Sequence, residues 1–415
     1  MADRRKPQLL RFLISFLPAQ LRFALIRNQL KISNHLDSRF TFRIARTREE
    51  LSESYRILLK NYVEQGYAKP VDSEMRIIKH FALPTTTTLI ALFDNKVVGT
   101  VSIIRRAQFD LPIESAFSLA EYIEKNDVVA EVSSLAIDPE FRLKRGSLFL
   151  PLLKFFWEYV ENYMNLDVIV IAVNPTMSDF YEALLAFSRL KCPPVSDYNF
   201  ANGNPAIGLF LDVRKAPKIF KELYGDKVQS KNLYDYFVNL KLNHFEMPHR
   251  TFYKSADPVM DPEMLHYFFS EKSTVFKDLT DQERMGLASA YPQEYYRSIL
   301  PLLNTESLRN EFRHQLNRKA IVMSSSESEI IILDVARKGL CAFSSIPLSG
   351  ILMLRIEVAE GCQAEVRGVV RWANEDRQLY GIELIKTDIN WNKFVSYLDE
   401  DFISLFADRS KKKVA

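Results

Sequence analysis

A glutamate and two serines interrupt an otherwise apolar segment in the first half of the chain. The segment VVAEVSSLAI (128–137) is dense in β-branched and aliphatic residues, which predicts a buried central strand. Its polar positions are Glu131, Ser133 and Ser134. A carboxylate in a central strand is costly to bury unless it has a partner or a function. Glu131 is therefore a candidate functional residue, and a satisfied strand carboxylate is the alternative.

A basic turn follows this strand. Asp138-Pro139 ends the strand, because proline disfavours helical angles in the residue before it. A helix is predicted from about residue 148 to 163. The turn before it contains Arg142, Lys144, Arg145 and Gly146. A helix start offers free N–H groups and the positive end of the dipole, so this turn could bind a phosphate. The alternative is a solvated basic turn in an ordinary α/β unit.

A second strand and helix follow, and their order resembles a known superfamily. The segment VIVIAV (168–173) predicts a buried strand, and a helix with Phe180-Tyr181 follows Asn174-Pro175. This order resembles the acyl-CoA-type N-acyltransferases of the GNAT superfamily. The resemblance implies that the first strand separates from its neighbour and that its free backbone groups hold a pantetheine arm. It also implies that Tyr181 protonates the departing thiolate, whereas a tyrosine packed on the core is the alternative.

Further segments resemble a more specific family. They are LPTTTTLIAL, VVGTVSII, LPIES, EYIEKNDVVAEVSSLAIDPEFR, NPTMSDFYEALLAF, DPVMDPEMLHYFF and YPQEYY. In order and spacing they resemble the N-acyl amino acid synthases (FeeM-like), which are close to the acyl-homoserine lactone synthases, over roughly residues 41–292. The resemblance implies that an acyl carrier protein, or coenzyme A, delivers a long fatty acyl thioester to the amine of an amino acid.

The same resemblance implies roles for individual residues. Glu131 would accept the amine proton, since burial raises a carboxyl pKa toward neutrality. The basic turn (Arg142, Lys144, Arg145 and Gly146) would meet the phosphopantetheine phosphate. Its glycine comes one place later than in the usual superfamily pattern, which favours a carrier protein over coenzyme A. Ser133-Ser134 stand near where homoserine lactone relatives carry an arginine, so that lactone is the less favoured product.

Composition bounds the remaining possibilities. The 415 residues predict two or three domains, and a net charge of +3 argues against a nucleic-acid-binding chain. The three cysteines, Cys192, Cys341 and Cys362, form no CxxC pair, which favours a reducing, cytoplasmic location. The six histidines form no ligand set, so we predict no metal site.

The first 35 residues form a basic amphipathic segment. Residues 1–32 carry seven Lys or Arg and one acid, Asp3, and their apolar run is too short to span a bilayer. Two short helices broken at Pro18 could lie on an anionic membrane surface, at the inner face of the cytoplasmic membrane. Alternatively, they pack on the enzyme domain or on a second subunit.

The C-terminal quarter has the pattern of a small all-β barrel. Short strands and turns recur from residue 319 to 386, and a polar linker (305–318) precedes them. The segments RHQLNR (313–318) and DVARKG (334–339) resemble the two signatures of a PilZ domain, a family that binds cyclic di-GMP. The implied ligand residues are Arg313, His314, Arg318, Asp334, Ala336 and Gly339. The family usually has arginine at His314 and serine at Ala336, so a barrel that has lost its ligand is the alternative.

These observations predict a specific architecture. A GNAT-like mixed α/β sheet flanked by helices occupies residues 40–300, a PilZ barrel occupies 305–405, and residues 406–415 form a basic tail. The aromatic-rich stretch 214–291 is predicted to be a helical extension, mostly core, with some rings lining an acyl tunnel. The linker to the barrel is predicted to be mobile. Two functions stay open: an N-acyltransferase regulated by cyclic di-GMP, and a non-catalytic PilZ effector whose acyltransferase-like domain binds lipid or protein.

Overall fold

Two sheets, one open and one closed, organise the chain. The computed structural model describes residues 17–412, except 34, 108, 125–126, 144–147, 300, 302–311, 324–326 and 377. The strands of the open sheet are β1 Phe40–Ile44, β2 Thr86–Phe93, β3 Lys96–Arg105, β4 Val129–Ile137, β5 Val168–Val173, β6 Ser188–Arg189, β7 Val195–Tyr198 and β8 Asn204–Asp212. Their order is β1-β2-β3-β4-β5-β8-β6, and β7 also pairs with β8. Only β4 and β5 run parallel, so this is the predicted mixed sheet.

Helices cover both faces of the open sheet. In chain order the helices are α1 Ala19–Gln29, α2 Arg48–Glu64, α3 Pro139–Leu143, α4 Phe149–Tyr159, α5 Pro175–Leu185, α6 Ala216–Tyr224, α7 Pro262–His266, α8 Val275–Asp278, α9 Asp281–Ser289, α10 Gln293–Tyr296 and α11 Ile389–Lys412. Helix α2 packs in one apolar cluster and α4 in a second. All residues of β2 are buried, because the two clusters exclude water from both faces.

Local sequence explains where these elements begin and turn. Thr47 caps α2 and forms a capping box with Glu50, which satisfies two backbone N–H groups at the helix start. Asp94 and Asn95 form the turn between β2 and β3 with positive φ angles of 48° and 63°. Helix α4 continues as a π-helical turn over Val160–Met164. The helix predicted from about residue 148 to 163 is confirmed.

The N-terminal segment packs on the enzyme domain where the structure describes it. Arg22 pairs with Asp179 of α5, with 2.7 Å between Nε and Oδ2. Arg27 donates a hydrogen bond to the carbonyl of Ala183. Leu30 and Ile32 are buried. Packing, one of the two predicted alternatives, is therefore observed for residues 19–32, whereas residues 1–16 lie outside the described part. Within that part, no helix is long and apolar enough to cross a membrane.

Removing this packed segment is expected to destabilise the chain. A truncation lacking residues 1–32 should unfold more easily than one lacking only 1–16, because it also loses Leu30, Ile32 and the Arg22–Asp179 pair. Two buried aliphatic side chains contribute roughly 2–5 kcal/mol. Chemical denaturation of the two truncations measures the difference. Equal midpoints would mean that residues 17–32 add nothing to stability.

The helical extension after β8 is mostly core, as predicted. Its helices α6–α10 and two π-helical turns, Asp235–Asn239 and Tyr267–Glu271, pack aromatic side chains inward. Phe268, Phe269 and Phe276 are fully buried and stack in a row. The extension thereby widens the apolar cores on both sides of the sheet.

The C-terminal strands close into a barrel. They are β9 His314–Val322, β10 Ser328–Ala336, β11 Gly339–Phe343, β12 Ile351–Ala359, β13 Cys362–Asn374 and β14 Leu379–Thr387. All neighbours are antiparallel, in the order β10-β11-β14-β13-β12-β9 with closure. Helix α11 packs Trp391 and Phe394 against this core. The α/β domain followed by a small all-β barrel confirms the predicted fold class.

The barrel begins earlier than predicted. Strand β9 starts at His314 and pairs with β10, including Arg318 opposite Ile332. The prediction of a mobile linker through Arg318 is therefore wrong for residues 314–318. Alternate residues of this stretch, His314 and Leu316, are buried. The stretch is therefore a strand with one buried face, although its composition is mainly polar. Residues 302–311 lie outside the described part.

One short segment joins the two sheets. The Ser255 hydroxyl donates a hydrogen bond to the carbonyl of Gln315 in β9. The Ser255 carbonyl accepts a hydrogen bond of 3.1 Å from Arg105 at the end of β3. Lys254 also pairs with Asp401 of α11. Residues 250–257, hereafter the junction segment, therefore contact both the open sheet and the barrel.

Candidate active site

The gap between β4 and β5 is the organising feature of the site. The two strands pair at only three positions, Val129 with Val168, Ala130 with Ile169 and Glu131 with Val170. Beyond Glu131 they separate, so backbone groups on that edge of β4 have no partner strand. This confirms the strand separation predicted from the sequence.

A bulge in β4 lies at the start of this gap. The register between β3 and β4 shifts between the Ser102–Ser133 and Thr100–Ala136 pairs. Ser134 occupies the left-handed region with φ of 60°, which costs a non-glycine residue about 1 kcal/mol or more. Backbone strain of this kind is commonly held at functional sites. The bulge therefore falls among the residues of β4 that line the gap.

A cavity of about 260 Å³ occupies the gap. Its lining differs between the elements that contribute to it. The polar lining comes from β4, from the end of α2 and the loop after it, from the end of β7 and from α5: Tyr62, Tyr67, Glu131, Ser133, Ser134, Tyr181 and Tyr198. The apolar lining includes residues of α4, α6 and the turn after α6: Leu153, Phe156, Trp157, Ala216, Phe220, Phe237 and Val238. Such a cavity suits a molecule with one polar and one aliphatic end.

Glu131 is buried at the polar part of this cavity. Its side chain is 2% exposed, and Oε2 accepts a hydrogen bond of 2.7 Å from the backbone N–H of Ile113. Burial raises the pKa of Glu131 to about 8, with a further increase from Glu114, and the Ile113 N–H opposes the shift. Among the described residues no cation pairs with it. Its carboxyl group can therefore gain and lose a proton near neutral pH.

Tyr181 lines the same cavity from α5. Phe180 and Phe187 pack edge-on against its ring. Burial raises the pKa of the Tyr181 hydroxyl to about 12, with smaller contributions from Tyr62 and Tyr67. The hydroxyl is thus a proton donor at neutral pH. The structure brings the two predicted catalytic residues, Glu131 and Tyr181, to one cavity.

The basic turn is only partly described. Arg142 donates a hydrogen bond of 3.0 Å to Glu64 and a second to the side chain of Asn61, both in α2. It also donates to the carbonyl of Ile137. A phosphate would have to compete with Glu64 for this guanidinium. Lys144, Arg145 and Gly146 lie outside the described residues, so their predicted phosphate contacts stay predictions.

Two loops supply site residues that the sequence did not reveal. Tyr62 lies in the last turn of α2, Tyr67 follows that helix, and Tyr198 ends β7. Their convergence depends on chain folding, because Tyr62 and Tyr198 are far apart in sequence. Nothing in the sequence distinguished these single aromatic residues as site residues, although the segments around them are rich in tyrosine.

Asparagine side chains fasten these two loops together. Asn202 and Asn204 each donate a hydrogen bond to the carbonyl of Gly66, at 3.2 and 2.8 Å. Asn204 also donates to the carbonyl of Ala201. Asn202 has a φ of 54°, which asparagine tolerates in turns. These contacts are those of structural turn residues.

Four of the six predicted dinucleotide-binding residues gather at one side of the barrel. Arg313 pairs with Asp334 at 2.6 Å. A Cβ atom at Gly339 would lie 3.4 Å from Arg313 Nη2, so the guanidinium rests on the glycine. Ala336 pairs with Gly339 across the turn between β10 and β11. This group is hereafter the Arg313 cluster.

His314 and Arg318 lie elsewhere. His314 is buried, with 2.8 Å between Nε2 and an Asp399 oxygen of α11, and Arg337 pairs with the same carboxylate. The guanidinium carbon of Arg318 lies 3.7 Å from the ring centroid of Tyr253 in the junction segment. The structure therefore does not bring these two residues to the Arg313 cluster, because each already has a partner on another element.

No group of three or more His, Cys, Asp or Glu side chains within the described ranges could hold a metal ion. The described cysteines, Cys192, Cys341 and Cys362, form no disulfide bond with one another.

Comparisons with known proteins agree with the geometry of the open sheet. Residues 53–212 match the family model of the N-acyl amino acid synthase FeeM. No curated protein matches the chain. Among solved structures, FeeM, an N-acyl amino acid synthase from uncultured soil microbes, is 26% identical and covers 43% of this chain and 95% of its own, with a TM-score of 0.38.

Two acyl-homoserine lactone synthases are also similar. LasI is 18% identical over 46% of this chain and 96% of its own, with a TM-score of 0.34. BjaI, a CoA-dependent synthase solved with SAM and isopentyl-CoA, is 14% identical over 51% of this chain and 94% of its own, with a TM-score of 0.36. The FeeM family match over residues 53–212 therefore includes the separated strands β4 and β5 of the mixed sheet.

Proposed function

We propose that this protein transfers a long fatty acyl group from a thioester to the amine of an amino acid. The observation that carries the proposal is the shared cavity of Glu131 and Tyr181 in the gap between β4 and β5. The acyl donor is an acyl carrier protein thioester, and acyl-coenzyme A is the alternative donor. The basic turn binds the phosphate of the pantetheine arm in either case.

The reaction begins when Glu131 takes a proton from the acceptor ammonium group. A carboxylate with a pKa of about 8 is a far stronger base than an ordinary one, so the transfer is less uphill. The free amine attacks the thioester carbonyl, a C–N bond forms, and the carbonyl oxygen becomes negative. Backbone N–H groups of β4 that face the gap, where no strand pairs with them, stabilise this oxyanion.

The intermediate collapses when the C–S bond breaks. Tyr181 donates a hydrogen bond to the departing sulfur, and the proton that the nitrogen loses as the amide forms passes to this sulfur, which leaves as a thiol. Since a free thiol has a pKa of about 8.5 and Tyr181 one of about 12, complete proton transfer from the tyrosine is uphill. Tyr181 therefore assists departure, and Glu131 contributes more to the rate.

The fatty acyl chain lies along the apolar lining supplied by α4, α6 and the turn that follows. Phe220 and Phe237, both from the helical extension, contribute to that lining. The burial of methylene groups there supplies affinity of about 0.8 kcal/mol each. This assignment is supported by the absence of charged side chains from the apolar lining residues named above.

The barrel is proposed to be a PilZ domain that binds cyclic di-GMP and regulates acylation. The Arg313 cluster supports this, because an arginine held beside a carboxylate and a glycine can form forked bonds to phosphate or guanine. His314 and Ala336 depart from the family pattern. A non-catalytic effector, in which the acyltransferase domain only binds lipid or protein, is the alternative function. We further propose a cytoplasmic protein whose residues 1–16 contact an anionic membrane surface.

Mass spectrometry of lipid extracts tests the proposed activity. Cells expressing the chain should accumulate N-acyl amino acids, and cells expressing Glu131→Gln should not. Tyr181→Phe should retain product at a rate lowered about 10²-fold, because only assistance to the leaving group is lost. If the wild type yields no N-acyl product while remaining folded, the effector alternative is supported instead.

A further inference from the structure

A half-buried arginine lies behind the polar part of the cavity. Arg76 donates a hydrogen bond of 2.6 Å from Nη2 to the carbonyl of Phe200. Its guanidinium carbon lies 4.5 Å from the ring centroid of Tyr62 and 4.8 Å from that of Phe200. Both aromatic residues line the cavity. The cation therefore packs against two rings that line the cavity, although Arg76 itself is not a lining residue.

No anion neutralises this cation. Among the described residues, no carboxylate lies within salt-bridge distance of Arg76, and its buried Nε atom has no hydrogen-bond partner. Burial lowers the pKa of Arg76, since a charge in a poorly solvated position is disfavoured. Natural structures rarely leave such a group uncompensated. An arginine of this kind is prepared for an anionic group that arrives from outside.

Two tyrosine hydroxyls interact with both Arg76 and the base. The hydroxyls of Tyr62 and Tyr198 each interact electrostatically with both Arg76 and Glu131. Arg76 and Glu131 do not form an ion pair with each other. An acceptor that spans this space would therefore place an anion at Arg76 and an amine at Glu131.

We propose that Arg76 binds the carboxylate of the acceptor and so restricts the acceptor to amino acids. This inference rests on the proposed function and specifies its acceptor class. An arginine fork matches a carboxylate in geometry, and the charge-assisted hydrogen bonds are stronger than neutral ones. A simple amine, or an amino acid amide, would leave Arg76 without an anion and would bind more weakly.

A purely structural role is the competing explanation. Arg76 could serve only to hold the loop at Phe200 through one hydrogen bond and one ring contact. In that case a substitution would weaken binding of charged and neutral acceptors alike. Discrimination between an acid and its amide is therefore the informative measurement.

Calorimetry on the full chain measures this discrimination without turnover. The probes are N-dodecanoylglycine and N-dodecanoylglycinamide, which differ only in the charge of the head group. The wild type should bind the acid about 10- to 100-fold more tightly, as expected for charged hydrogen bonds. Arg76→Gln, which keeps a polar amide but removes the charge, should bind the two alike. Arg76→Lys should retain part of the preference, because it keeps the charge without the fork.

Acylation of free amino acids and their amides provides the second arm. With a mixture of the common amino acids as acceptors, Arg76→Gln should raise KM far more than it lowers kcat, and it should leave the amides unaffected. Equal binding of acid and amide by the wild type, or a preference that survives in Arg76→Gln, would overturn the assignment. A preference lost in Arg76→Gln, with no acylation of any acceptor, supports Arg76 as a carboxylate site and rejects the proposed enzyme.

Discussion

Replacing Glu131 with glutamine is expected to abolish acyl transfer and also to stabilise the protein above neutral pH. Glutamine is nearly isosteric and can still accept the hydrogen bond from the Ile113 N–H. It cannot take the amine proton, so turnover should fall by at least 10²-fold, which is the usual contribution of a general base. Steady-state acylation with saturating donor measures the loss.

The stability effect follows from the sign of the pKa shift. The Glu131 carboxyl titrates near its ordinary 4.5 in the unfolded chain and near 8 in the folded one. Between these values the folded state binds more protons than the unfolded state, so the free energy of unfolding falls as pH rises. Glutamine has no such dependence. The stability of the variant relative to the wild type should therefore grow between pH 5 and 8, by at most a few kcal/mol at 1.36 kcal/mol for each pKa unit.

Denaturant unfolding at pH 5 and pH 8.5 tests this directly, and the rate profile supplies a control. For the wild type, kcat/KM should rise with pH to a plateau above about 8. The acceptor amine also titrates and contributes to the profile. Acceptors whose amines differ in pKa separate the two titrations, because the part of the profile due to Glu131 stays at the same pH. Full turnover by Glu131→Gln would remove this residue from the mechanism, and parallel stability profiles would show that its carboxyl is not buried in the unliganded protein.

The second large effect concerns the barrel and cyclic di-GMP. Arg313→Ala is expected to lower the affinity for the dinucleotide by about 10- to 100-fold, because a charged hydrogen-bond donor is lost. Arg318→Ala should also weaken binding if Arg318 leaves Tyr253 to reach the ligand. Tyr253→Ala is the matched control. It removes a contact of 3.7 Å that holds Arg318 away, so it should tighten binding several-fold, given about 1 kcal/mol for such a contact.

These affinities should fall with added salt, since the ligand is anionic. The same titrations carried out during acylation reveal whether binding alters the rate. A physical route exists, because Gln315 is hydrogen-bonded to Ser255, whose carbonyl holds Arg105 at the end of β3. Arg105 pairs with Ala130, the neighbour of Glu131. Absence of binding heat from the wild type would end the regulatory proposal, and unchanged binding by Arg318→Ala would restrict the ligand to the Arg313 cluster.

Local patterns were sufficient to predict the main elements of the open sheet. The apolar runs at β2, β4 and β5 and the Thr47 capping box identify their elements without tertiary information. Glu131 stood out because it is the charged residue within a strand that is otherwise apolar or small. Its raised pKa follows from that burial alone.

The rest of the site depends on contacts between distant segments. Arg76 and Phe200 are 124 positions apart, and no spacing rule joins them. Arg142 was predicted to bind phosphate. Its hydrogen bond to Glu64 could not be foreseen, because the two residues are 78 positions apart in the sequence. The left-handed angle of Ser134 was also unpredictable, since serine has no preference for that region. Residues 313–318 were predicted to belong to a linker because they are mainly polar. A two-residue alternation, which is typical of a strand such as β9, was also present in this sequence.

The contact between the two loops at Gly66 affects how the acceptor specificity of this enzyme can change during evolution. Tyr62, Tyr67 and Tyr198 line the polar part of the cavity, and the amides of Asn202 and Asn204 hold the loop at Gly66 to the segment after β7. Substitutions at these tyrosines change the polar lining without changing the residues of β4 or α5. The acylated molecule can thus change over evolutionary time by a few loop replacements, while the donor, the base and the leaving-group chemistry are inherited unaltered.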